Sequence, residues 1–69
     1  MTPLRDDLLD ALRANGRMPA ADAAVYVGTT AQIARVALHA MIDSGTVRFA
    51  KHERSIVTGR LAATFEAVR

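Results

Sequence analysis

The sequence predicts a small α+β domain, three helices followed by a β-hairpin and a short C-terminal element, with residues 1–69 forming one unit. Three observations carry this expectation. Apolar residues recur at helical spacing as far as Asp43, the pattern turns extended after Gly45, and Asn15-Gly16, Gly28 and Ser44-Gly45 punctuate the segments as stop and turn signals. A chain of 69 residues has room for one core, and it buries only about 60% of the surface its unfolded form exposes. It contains no cysteine, so neither a disulfide nor a thiolate metal site adds to that core. Packing or oligomerisation must supply the stability.

The first helix is predicted over Pro3–Ala14. Thr2 reads as its N-cap and Pro3 as its first residue, Asp6 and Asp7 put negative charge where the helix dipole favours it, and Leu4, Leu8 and Leu12 line its inner side. Arg17-Met18 is too short to assign by pattern, and Pro19 separates it from a second helix over Ala20–Val27, with Ala23, Ala24 and Val27 inward. Gly28 ends that helix and Thr29-Thr30 offers a new cap at once, so the next helix must leave a tight turn at a steep angle. The third helix is predicted over Ala31–Asp43, with Ala34, Leu38, Met41 and Ile42 on one face. After Gly45, Thr46–Phe49 reads as one strand and Ser55–Thr58 as a second, with Lys51-His52-Glu53-Arg54 as a charged hairpin tip. Leu61, Phe65 and Val68 then follow at i, i+4 and i+7, which predicts a short final helix, with a third strand as the alternative on the Thr and Val content.

Charge is distributed unevenly. Residues 1–45 carry Arg5, Arg13, Arg17 and Arg35 against Asp6, Asp7, Asp10, Asp22 and Asp43, a net −1, whereas residues 46–69 carry Arg48, Lys51, Arg54, Arg60 and Arg69 against Glu53 and Glu66, a net +3. The basic excess is where a phosphate backbone could be met, although a few cations also serve to keep a small apolar domain in solution. No apolar run approaches the roughly 20 residues of a membrane span. Arg5, Asp6, Asp7 and Asp10 occupy the region that a secretory signal would fill with apolar residues, so a soluble, cytoplasmic protein without membrane contact is expected.

Several chemistries are excluded at the same level. His39 and His52 stand far apart with no Cys or carboxylate cluster about them, so no metal is expected. Asp6 and Asp7 are explained by their helix start. There is no glycine-rich phosphate loop, nucleophile elbow or Cys/His pair, and Gly59-Arg60 reads as a turn signal alone. Neither an enzymatic activity nor a cofactor is expected.

Ala24 in the second helix, Gly28 in the turn, Thr30 as cap, Leu38 and Met41 in the third helix, and Gly45 and Val47 leading into the hairpin form a spaced set. With the element order, they make nearly the whole chain resemble the winged helix-turn-helix family of bacterial and phage regulators. Thr29 departs from that family's usual aliphatic residue, and Arg35 is the third helix's one fixed positive charge. The resemblance implies a sequence-specific duplex-DNA-binding regulator, transcriptional or phage-type, with the third helix in the major groove and the wing on the backbone. It assigns Thr30, Gln32, Arg35, Val36 and His39 to the outward face of that helix: Gln32 for an adenine edge, Arg35 for a guanine edge or a phosphate, and Val36 or Ala31 for a thymine methyl. Arg48, Lys51, His52 and Arg54 would contact phosphates or enter the minor groove.

Specific sites usually need more contact than one such unit offers, so a homodimer is expected. Leu61, Phe65 and Val68 either form its surface or close the monomer's own core. Two other functions fit the same pattern. Ile33, Val36 and Ala37 could make the third helix a patch for a protein partner, and an architectural binder would use the wing without reading bases.

Overall fold

In a computed structural model, which describes residues 3–68, the elements run α1 (Leu4–Asn15), β1 (Met18–Pro19), α2 (Ala20–Val27), α3 (Ala31–Asp43), β2 (Val47–Arg54) and β3 (Leu61–Ala67). The fold is α+β, three helices and a three-stranded antiparallel sheet of order β1-β3-β2. The capping role read for Thr2 lies outside the described residues.

The helical half follows from spacing and punctuation. Leu8 and Leu12 of α1 are buried one turn apart, and Gly16 ends the helix. Pro19 is extended and cannot donate a backbone hydrogen bond, so α2 starts at the next residue. Ala20, Ala23 and Ala24 are buried, small enough to let α2 approach its neighbours closely. Gly28 takes the left-handed conformation, φ 74° and ψ 38°, which a residue with a Cβ adopts only at a cost. The Thr29 N–H then donates back to the Ala24 carbonyl at 2.9 Å, and Thr30 Oγ1 accepts from the Ile33 N–H at 3.2 Å to cap α3. Ala34, Leu38 and Met41 of α3 complete a core shared with Leu8, Leu12, Met18, Val47 and Phe65. Ile42 and Val27, both read as inward, are half-buried at its margin.

The sheet adds to the sequence reading in one place and departs from it in two. Met18-Pro19 is a strand at the sheet edge, pairing Met18 with Phe65 and Pro19 with Thr64. Proline is tolerated there because an edge strand need not donate on both sides. The polar stretch Lys51–Arg54 is not a hairpin tip but the continuation of β2, and Ser55–Thr58 is not a strand but part of the turn. Four polar residues in a row read as a loop, yet both faces of the outer half of β2 are open enough to solvent to carry charged side chains. Finally, residues 61–67 form the central strand rather than a helix. Residues 61 and 65 share a face under either period, and Val68 alone tips the spacing toward a helix. The ladders to β1 and β2 decide for the strand.

That outcome settles the role of the apolar stripe as well. Phe65 is buried in the monomer's core, Leu61 is exposed, and Val68 falls out of phase with both in an extended chain. No continuous stripe of the three exists. Among the described residues, no helix is long and apolar enough to cross a membrane.

Candidate functional site

Burying Ala34, Leu38 and Met41 leaves Gln32, Val36 and His39 on the opposite side of α3. Arg35 and His39 lie on the flank toward the β2–β3 hairpin, and Ile33, Ala37 and Ala40 on the flank toward α1. Between α3 and the hairpin runs an open groove of about 740 Å³, with Arg35 and His39 on one bank and Arg60, Leu61 and Ala63 on the other. Phe49 and Phe65 lie along it. Their rings are 5.2 Å apart, and the His39 ring meets both edge-on, at 5.5 Å from Phe49 and 5.9 Å from Phe65. Edge-to-face packing of this kind fixes the imidazole against the sheet, so His39 ties the helix to the hairpin while remaining exposed.

Strand register sorts the remaining side chains. Cross-strand partners share a face, and successive residues alternate. Phe49 pairs with Phe65, His52 with Ala63 and Arg54 with Leu61, so His52 and Arg54 lie on the groove side. Arg48 pairs with Glu66 on the other side, where its Nε donates to Glu66 Oε1 at 2.6 Å. Glu53 is taken there too, in an ion pair with Arg17. A bulge between Phe49 and His52 makes this possible: Ala50 and Lys51 together face Thr64, so β2 has one residue more than β3 over that stretch. Without it, His52 and Arg54 would point to the back of the sheet. Thr64 Oγ1 donates to the Lys51 carbonyl and closes the bulge.

The turn between the strands is built on a buried carboxylate. Asp22 of α2 is only 9% exposed. It accepts from Ser55 Oγ at 2.5 Å, from the Ile56 N–H at 3.3 Å and from the Val57 N–H at 3.4 Å. Ser55 Oγ in turn accepts from the N–H groups of Val57 and Thr58, and Arg54 Nη1 donates to the Gly59 carbonyl at 2.6 Å. A carboxylate this far from water is tolerated because several donors converge on it.

Of the residues read from sequence, Thr30 is engaged as a cap, and Gln32, Arg35 and Val36 stand exposed on α3, with Arg35 Nη1 3.4 Å from Gln32 Oε1. His39 lines the groove, His52 and Arg54 share its strand face by register, with the Arg54 guanidinium folded onto the Gly59 carbonyl beside a second hollow that also holds Arg17 and Glu53, Lys51 sits at the bulge, and Arg48 is turned away. Three contributors escape the sequence reading: Arg60 reads only as part of a turn, Ser55 as the start of a strand, and Asp22 as a helix residue without a site role. A Ser followed four residues later by Gly is a turn signal, but Ile56-Val57-Thr58 between them imitates a strand. Among the described residues, no cluster of His, Asp or Glu is arranged to hold a metal ion. No protein-family model and no curated protein matches this chain, so a functional reading of the groove rests on its own geometry.

Proposed function

We propose that the chain is a winged helix-turn-helix domain that binds duplex DNA sequence-specifically as a transcriptional or phage-type regulator. In this reading α3 enters the major groove and the β2–β3 hairpin is the wing on the adjacent backbone. The observation that supports it most is the sorting of charge across the hairpin. Both described ion pairs, Arg17–Glu53 and Arg48–Glu66, occupy the back of the sheet, while Arg35 and Arg60 on the groove side have no carboxylate partner among the described residues. Cations held without counter-charge beside an exposed helix are what a phosphate backbone requires.

Base reading then falls to Gln32 for an adenine edge, Arg35 for a guanine edge or a phosphate, and Val36 for a thymine methyl. Two copies on a two-fold related site would supply the contact area that one unit lacks. The reading needs neither cofactor nor catalytic group, and it implies the compartment that holds the DNA, the cytoplasm of a bacterial or phage-infected cell. The test is fluorescence anisotropy with labelled random-pool duplexes at several salt concentrations. Log affinity falls linearly with log salt, by about 0.9 per phosphate neutralised, and an Arg35→Ala, Arg60→Ala double variant has a shallower slope. Absence of binding at low salt overturns the reading.

One observation favours a second reading, a protein–protein module. Leu4 of α1 and Ile33, Val36, Ala37 and Ala40 of α3 line an apolar groove of about 540 Å³ on the other flank of the helix. Ile33→Asp separates the two readings, since it leaves the salt slope on DNA unchanged and abolishes a partner contact on that flank.

A further inference from the structure

The turn from Ser55 to Arg60 presents two consecutive branched apolar side chains to solvent, Ile56 at 94% exposure and Val57 at 53%. A lone exposed aliphatic residue is ordinary. Here the backbone beneath the pair is fixed by a buried anion, since the Ile56 and Val57 N–H groups both donate to Asp22. Ser55 Oγ adds a second anchor to the Val57 N–H and one to Thr58. Arg54 at the end of β2 and Arg60 just before β3 flank the apolar pair, and the Ser55 N–H donates to the Arg60 carbonyl at 2.9 Å, closing the base of the turn. The result is an apolar projection between two guanidinium groups, held in shape before it touches anything. Ordering a projection in advance removes the entropy that docking would otherwise cost.

We infer that the hairpin tip is an apolar wedge for DNA. Resting on the DNA-binding reading above, Ile56, backed by Val57, enters the minor groove and inserts at a base step, bending the duplex, while Arg54 and Arg60 meet the phosphates on either side. Apolar side chains of this size unstack base steps in minor-groove binders, and the flanking cations match the two strands that border the groove. Pyrimidine–purine steps unstack most easily, so the wedge adds a preference for TA or CA at a position that no hydrogen bond reads.

The experiment uses the full chain and end-labelled duplexes enriched from a random pool by that chain, read by energy transfer between the ends. Binding brings the ends closer, as for a bend of roughly 20–90°. Ile56→Ser, at a side chain that packs against almost nothing, leaves the fold intact, binds roughly ten- to a hundredfold more weakly, as for loss of one buried Ile side chain, and leaves the duplex straight. Its salt slope is unchanged because no phosphate contact is lost. Ile56→Leu keeps both bend and affinity. Wild-type binding without bending, or Ile56→Ser with wild-type affinity and bend, overturns the wedge and leaves the DNA reading standing; failure of the wild-type chain to bind any duplex overturns both.

Discussion

The two faces of the β2–β3 hairpin carry similar numbers of charges and dispose of them in opposite ways. On the back, Arg17 meets Glu53 and Arg48 meets Glu66. On the front, Arg60 shares a groove with Arg35, neither has a described carboxylate partner, and the surface between them is aromatic, with Phe49 and His39 over the buried Phe65. One face is electrically closed and the other is open. A strand pair built only for stability has no need of such asymmetry, and the single-residue bulge opposite Thr64 is what creates it. The lesson is that the net charge of this half, read from composition, understates the field on one side and overstates it on the other.

The strongest way to break the comparison is to remove the residue on which the open face is laid. Phe65 pairs with both Met18 and Phe49 and is buried in the core. Phe65→Ala costs about 3–5 kcal/mol, and a core of this size supplies only about 3–5 kcal/mol in total. The variant is therefore expected to be unfolded at room temperature by circular dichroism, and a cooperative urea transition near that of the wild type would refute the assignment.

Asp22 comes next. Replacing it with Ala removes the acceptor of the buried Ser55 hydroxyl and of the Ile56 N–H, and leaves the Val57 N–H with Ser55 Oγ alone. A cost of about 2–3 kcal/mol follows from losing charge-assisted hydrogen bonds. Amide exchange sharpens the prediction: protection is lost first at Ile56 and Val57, whereas the ladder amides of β2 near Val47 stay protected until global unfolding.

How much of this was legible in the sequence differs between the halves for a physical reason. The α2–α3 unit is specified locally: Pro19, Gly28, Thr30 and Ser44-Gly45 mark boundaries by chemistry that acts within one turn, and α2 and α3 were read to the residue. The hairpin is specified by partners far away in the chain. Ser55 turns because Asp22 lies 33 residues earlier, and residues 61–67 are a strand because β1 and β2 flank them. The same distinction governs the site. The resemblance puts Gln32, Arg35 and Val36 on an outward helix face, whereas the turning of Arg48 to the back depends on strand register and the contribution of Arg60 on the turn that Asp22 anchors. The facing of His52 and Glu53 depends further on a bulge one residue long, and no local pattern marks it.

A smaller effect, on binding rather than folding, compares the faces directly. On the proposed DNA-binding reading, Arg35→Ala and Arg60→Ala are each expected to lower duplex affinity at 0.1 M salt by about tenfold and to reduce the salt slope by up to about 0.9. Arg48→Ala changes the slope little, because its guanidinium already faces Glu66. If Arg48→Ala matches the other two in slope, the open and closed faces are not electrostatically distinct and the charge-sorting argument fails.

The smallest effect lies wholly on the closed face. Arg48 remains largely exposed in its pair with Glu66, where solvent screens the attraction and side-chain ordering offsets part of it, so a double-mutant cycle on Arg48→Ala and Glu66→Ala should give a coupling of about 0–1 kcal/mol. The informative quantity is what happens to DNA when only one partner goes. Glu66→Ala releases Arg48 and adds an unpaired cation to the back of the hairpin, yet by the geometry above it leaves the groove untouched. Affinity for enriched duplexes is then nearly unchanged, with at most a small rise at low salt from the altered net charge. A gain of tenfold or more at 0.1 M salt would mean that phosphates reach the back of the sheet, and the duplex would have to wrap both faces of the hairpin rather than lie along one.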